Sequence, residues 1–281
     1  MSPIHDQSYR RYQGTRQPVG HAWSVIAWSG IRAMLAKKAY LFLMIVSFVP
    51  FVVNAVRIYF TTNYPQTGAF FQVTPSTYRN FLDSQGIFVF FMTIWAGSGL
   101  IANDRRANAL QIYLSKPLLR TEYIVGKWGV LLAFLLSVTL VPGLLLVLLH
   151  VMFAGSFDFI IQNKTIIPSV ILGSMLTVIV SSITMLALSS LSKSSRYAAL
   201  LYTGAVFFSD ALFGALRLLT GNTRASWVSI GANMTQVSDV IFRQPPRYDT
   251  PWIVSLMVLL ALVALSISVL ERRVRGVEVV Q

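Results

Sequence analysis

Six stretches of roughly twenty apolar residues run through this 281-residue chain, and they constrain it more than anything else it contains. They cover residues 39–60, 85–102, 124–154, 166–191, 197–219 and 252–270. About 20 apolar residues cross the hydrocarbon core of a bilayer as a helix. None of the six alternates polar and apolar residues as a barrel strand does, and backbone groups in lipid must be satisfied within the spanning segment itself. The fold class expected is an all-α membrane protein with six transmembrane helices. The fourth and sixth stretches carry no charged residue, the third begins near Lys127 and contains Pro142, and the fifth contains Asp210 and Arg217.

Charged residues make up only 12% of the chain, about half the share usual in a soluble domain. No polar stretch is long enough to build a core of its own, so residues 1–281 read as one membrane domain. There is no cysteine, which excludes disulfides, thiolate metal sites and cysteine nucleophiles. The net charge of +13 is spread over short inter-span segments. It therefore points to headgroups and inward-facing loops rather than to nucleic acid. The basic first 38 residues lack a cleavage pattern, so the first span is expected to serve as an uncleaved anchor.

Placing the N-terminus inside puts Arg10, Arg11, Arg16, Arg32, Lys37 and Lys38 in the cytoplasm. With them go Arg105, Arg106, Lys116, Arg120, Lys127, Lys193, Arg196, Arg272, Arg273 and Arg275. Seven basic residues fall outside, three of them in the segment before the last span. The bias predicts both termini in the cytoplasm of a multi-pass inner (plasma) membrane protein.

Two segments between the tails and the spans have their own character. Residues 21–38, HAWSVIAWSGIRAMLAKK, put Trp23, Ile26, Gly30, Ala33 and Met34 on one side at helical spacing, although Val25, Trp28 and Leu35 blur it. An interfacial helix within the cytoplasmic segment 1–38 is expected, the alternative being an extension of the first span. Residues 221–251 are too polar to span. Within them WVSIGANMTQVSDVIF has helical spacing before RQPPRYDTP breaks it, as a short outer-face or re-entrant helix would.

Catalytic patterns are sparse. His5, His21 and His150 are far apart without metal-ligand spacing, and no phosphate-binding G-x-x-x-x-G-K-[ST] occurs. The Ser-rich run SSITMLALSSLSKSSR suits close helix packing. No catalytic residue, cofactor or metal is assigned. Asp210 stands well inside the fifth span, where an acid ordinarily faces a cavity or a partner. Arg217, two turns on, shares its face about 10 Å away along the axis. Both are candidates for a translocation path; a break of the fifth helix near SDALFGALR would instead leave Asp210 wet.

Between spans two and three lies NDRRANALQIYLSKPLLRTEYIVGKW, residues 103–128. Asn103 or Asp104 can cap a helix, Asp104 complements its dipole, and Ala107, Leu110, Tyr113 and Leu114 form an apolar stripe before Pro117 stops it. A capped amphipathic helix at 103–117 suits docking another protein, or rests on the lipid surface.

This stretch resembles the cytoplasmic loop of the permease subunits of type-2 ABC exporters. The likeness rests on Asp104-Arg105-Arg106, Ala109-Leu110, Tyr113-Leu114-Ser115-Lys116-Pro117, Arg120, Glu122-Tyr123 and Gly126-Lys127. Where many relatives have a Glu-rich start and Gly-Thr before the Leu, this chain has Asp104 and Ala107-Asn108-Ala109. The layout is also similar, from the interfacial helix and six spans to the polar segment 221–251 and the basic tail. The resemblance implies that residues 103–117 are a coupling helix seated in a cytoplasmic ABC ATPase, with Asp104, Arg105, Arg106, Leu110, Tyr113 and Leu114 as contacts. It further implies two ATPase copies and a second permease subunit, in a homodimer or heterodimer that moves substrate across the membrane. The chain would then be a transport subunit and no enzyme, which accounts for the missing nucleotide motif. A membrane-embedded enzyme or assembly factor, or a channel, are the alternatives.

Overall fold

A computed structural model describes residues 22–64, 73–109 and 119–274. Every regular element among them is helical. A first helix, α1 (Ala22–Leu35), leads into α2 (Lys38–Val46) and α3 (Val49–Asn63); then come α4 (Pro75–Arg106), α5 (Arg120–Val138), α6 (Leu140–Ala154) and the short α7 (Asp158–Gln162). Two long helices follow, α8 (Ile166–Leu191) and α9 (Ser195–Thr220), and after a 3-10 turn at Ser226–Val228 the chain ends in α10 (Ile230–Ile241) and α11 (Trp252–Arg273). Six units are long and apolar enough to cross a membrane: α2–α3, α4, α5–α6, α8, α9 and α11.

Prolines interrupt the first and third units, as a missing N–H and a ring clash require. Pro50 stands in the first turn of α3, and Ser47 closes α2. At that break Gln85 of α4 donates to the Ser47 carbonyl at 3.1 Å. In the third unit Thr139 joins α5 to α6, three residues before Pro142. Its hydroxyl donates to the Leu135 carbonyl at 2.8 Å.

α8 lies at the centre, against α4, α5, α9, α10 and α11. Its buried face is built of small residues, among them Gly173, Ser174, Ser181, Ser182, Ala187, Ser189 and Ser190. Small side chains let backbones approach where lipid offers no hydrophobic drive. One core joins Met92, Leu100, Leu131, Leu135 and Leu186 near one end of the bundle; another joins Tyr78, Phe81, Leu146 and Val170 near the other. α2–α3 and α9 are the least enclosed units.

α4 begins ten residues before the apolar run at 85–102. Pro75 opens it behind a Thr74–Thr77 capping box, a standard helix start. Residues 75–84 are too polar to register as a span, yet Tyr78, Phe81 and Leu82 bury their side chains.

α1 is a helix of its own, separated from α2 at Ala36–Lys37, so it does not simply extend the first span. It packs along α5 through Ile26, Ala27 and Gly30. A Cβ on Gly126 would lie 2.9 Å from the Trp23 carbonyl oxygen, so only glycine permits this approach. Ile31 and Met34 pack against the core. Trp23, Val25, Trp28 and Leu35 are exposed, which is why the apolar residues of α1 do not fall on one clean face.

Candidate functional site

The loop between spans two and three is anchored on both sides. α4 runs through Asn103, Asp104 and Arg105 to Arg106, Ala107 caps its end, and Asn108 turns the chain at φ 53°. Asp104 therefore sits in the last turn of a long helix and not in the first turn of a new one. No breaker interrupts the sequence between the apolar run and Arg106, so the helix continues. Leu110, Tyr113 and Leu114, like the rest of 110–118, lie outside the described residues.

A carboxylate at a helix C-terminus opposes the dipole, and its partners offset this. Asp104 accepts a hydrogen bond from the Tyr123 hydroxyl at 2.7 Å and an ion pair from Lys127 at 2.7 Å. The Lys127 ammonium also lies 5.5 Å from the Tyr123 ring centre, within cation–π range. Arg105 donates to the Ser190 carbonyl at the end of α8. Arg106 is exposed. On the far side, Glu122 accepts from the Leu119 N–H at 3.1 Å and closes the first turn of α5.

Beneath these contacts α8 enters the hydrogen-bond ladder of α4. The Ser189 hydroxyl donates to the Ser98 carbonyl at 2.8 Å and accepts from the Ile101 and Ala102 N–H groups at 3.2 and 3.1 Å. In a regular helix Ala102 would bond Ser98 directly. An inserted side chain is one of the few causes of a helix bend. The C-terminal end of α4, with Asp104 and Arg105, is thus joined by side-chain contacts to both α5 and α8.

The second candidate region lies around Asp210. α9 is continuous through it, so the helix does not break there. Asp210 is ten residues from the end of α9, about 15 Å along the axis. Its Oδ1 accepts from the Ser229 hydroxyl at 2.5 Å. Ser229 in turn caps α10 by accepting from the Ala232 N–H at 2.8 Å, and the Ile230 N–H donates to Ser209. The chain leaves α9 at Thr220 and comes back to the level of Asp210 before α10 starts. α10 is therefore re-entrant in form, running from mid-depth of α9 towards the start of α8, where the Ser169 hydroxyl donates to the Ile241 carbonyl at 2.6 Å. Arg217 is exposed and makes no ion pair with Asp210 among the described residues.

A third cluster was not apparent in the sequence. Arg79 contacts Asp239 directly and lies 3.4 Å from Asp83, while Arg247 lies 2.6 Å from Asp83 and 3.8 Å from Asp239. Arg79 and Asp239 are buried. Burial pushes the Asp239 carboxyl up, and Arg79 draws it back towards the charged form. Gln236 donates to the Tyr248 and Thr250 carbonyls at 3.0 and 2.7 Å. The irregular tail of the segment is thereby fixed to α10, and α10 to α4. Only the Arg79–Asp83 spacing, one helical turn, was a local signal; Asp239 and Arg247 meet them across the fold. Nearby, His150 is held by the Tyr78 hydroxyl at 2.8 Å and is buried.

The chain matches no protein-family model and no curated protein sequence.

Proposed function

We propose that this chain is the membrane-spanning permease subunit of a type-2 ABC exporter. Residues 103–117 form the coupling segment that docks on a cytoplasmic ATPase. Two ATPases and a second permease chain, identical or related, complete the transporter in the inner membrane, with both termini cytoplasmic and α1 lying at the inner leaflet. The observation that carries this reading is the anchoring of the loop. Asp104 pairs with Lys127 and Tyr123, and Arg105 bonds the Ser190 carbonyl. The two ends of the loop are therefore tied to α4, α5 and α8, the three most enclosed parts of the bundle. A helix floating on lipid has no need of such ties.

Leu110, Tyr113 and Leu114 supply the apolar docking face, and Asp104, Arg105 and Arg106 supply charge at its edge. An aromatic anchor at the centre of an interface carries about 2 kcal/mol or more. Replacing Tyr113 by Ala should then weaken ATPase binding about 30-fold while the chain still inserts. Co-purification of the ATPase with wild-type and Tyr113→Ala protein tests this. Equal recovery of the ATPase from both, or its absence from both, counts against the reading.

Asp210 and Arg217 are assigned here to the path between the two permease chains. Both are exposed on α9, one of the least enclosed spans. An uncovered charge inside a bilayer is costly, so water or a second permease has to cover them. Asp210 has a second task in this reading, since it supports the start of α10.

A further inference from the structure

Where α5, α8 and α11 come together beside the coupling loop, two depressions run into one another. One, of about 260 Å³, is walled by Ile124, Val125, Trp128, Leu186, Ile267 and Leu270. The other, of about 520 Å³, is rimmed by Arg120, Ser268, Glu271 and Arg272. Thr121, Ile124 and Glu271 belong to both, so an apolar slot opens directly into a charged cleft. The slot reaches Trp128, eight residues and about 12 Å along α5 from Arg120. Arg120, Glu271 and Arg272 make no ion pair with each other or with any other described residue.

We propose that this joined slot and cleft is a binding site for a phospholipid with a primary-amine headgroup, of the phosphatidylethanolamine type. Three features select that chemistry. The slot is apolar along two helical turns and takes an acyl chain. At its mouth Arg120 and Arg272 present two guanidinium groups, which match a phosphate in a fixed, multidentate way. Basic pockets between transmembrane helices bind lipid headgroups for this reason. Glu271 sets the headgroup. A carboxylate on the rim repels a purely anionic lipid, whereas an ammonium beside the phosphate gives it three N–H donors. A choline headgroup carries the same charge with no N–H to donate. The ethanolamine lipid alone of the three satisfies both arginines and the glutamate. This inference does not depend on the ATPase partner; it needs only the ends of α5 and α11 at a membrane surface.

The test is lipid retention. Detergent-purified full-length chain is equilibrated with equal amounts of dioleoyl phosphatidylethanolamine, phosphatidylglycerol and phosphatidylcholine, and the lipid carried by the intact protein is read by native mass spectrometry. The ethanolamine lipid should be retained about tenfold over the choline lipid, the factor carried by a hydrogen bond to a charged group. Glu271→Gln should bring it down to the choline level and raise phosphatidylglycerol. Arg120→Ala with Arg272→Ala should lower all three. Lys193→Ala, an exposed basic residue outside the cleft, should change nothing. Equal retention of the three lipids by the wild type would overturn the proposal. So would a preference for phosphatidylglycerol, an unaltered pattern in Glu271→Gln, or an equal loss in Lys193→Ala. The substituted side chains are exposed, and an unchanged melting temperature establishes that each variant is folded.

Discussion

Asp210 touches Ser229, and that contact explains why a carboxylate stands inside a span. The first turn of a helix leaves N–H groups without internal partners, and a helix that starts within the membrane has little water to satisfy them. Ser229 takes one, Ser209 takes another, and Asp210 holds Ser229 in place. Asp210→Ala should therefore cost about 1 kcal/mol, the usual worth of a helix cap, seen as a lower melting temperature and, under the proposed function, as reduced transport. Arg217→Ala should leave the melting temperature unchanged, and exchanging the two charges should rescue nothing, because the pair does not form. Recovery in the exchanged variant would show that Asp210 and Arg217 meet after all. Asp249 gives a pH-dependent case. The Thr223 hydroxyl and backbone N–H hold its carboxyl below the usual carboxylate range. A depressed carboxyl contributes stability that is complete above its unfolded value and lost as pH falls through the folded one. Acidifying below about pH 4 should thus loosen residues 221–229, and Thr223→Val should move that loss to higher pH. Hydrogen exchange across the segment measures both; exchange independent of pH in the wild type would refute the tie.

Among the elements, α1 and the end of α4 carry the predictions. The approach of α1 to α5 is close enough to lock covalently. A Cβ on Gly129 would lie 3.3 Å from the Ala27 Cβ, just under the spacing that a disulfide spans. In a chain without cysteine, Ala27→Cys with Gly129→Cys should crosslink under mild oxidation, and failure to do so would show α1 lying elsewhere. The Asp104–Lys127 pair is mostly shielded, with 18% and 16% of the side chains exposed. Lys127→Ala leaves Asp104 opposing the helix dipole and should cost about 1–3 kcal/mol, less than a fully buried pair because water still reaches it. Adding Asp104→Asn should recover part of the loss in the melting temperature; an equal or greater loss in the double variant would show that the pair is not the cause. Element existence was legible in the sequence wherever it depended on one continuous segment. The stretch at 21–38 does contain a helix of its own, α1. The end of α4 was not legible. Asp104 has the chemistry of a helix cap, but capping depends on where the preceding helix stops, and nothing in Leu100–Arg106 stops it.

At the scale of the whole molecule, hydropathy foretold the six membrane-length units because it sums over twenty residues at a time. It could not place residues 75–84, whose polar side chains join α4 to the segment before the last span. Nor could it bring Asp239 and Arg247 to Arg79 and Asp83, since those contacts join residues more than 150 positions apart. The same limit holds for the loop: its residue types point to docking, while the ties of Asp104 and Arg105 appear only when α4, α5 and α8 are assembled. Those ties fix both ends of the loop to the centre of the bundle, and the proposal that this loop seats a cytoplasmic ATPase is the central claim. It is tested most directly by a single cysteine in the otherwise cysteine-free chain. Ala109→Cys is the position of choice, because Asn108 occupies a left-handed backbone conformation that a cysteine adopts poorly. In native membranes containing the ATPase, a short thiol-to-amine crosslinker should join Ala109→Cys protein to an ATPase subunit. Tyr113→Ala in the same chain should reduce the yield, and a control cysteine at Thr220, at the far end of α9, should give none. No crosslink to an ATPase from Ala109, or an equal yield from Thr220, would contradict the account.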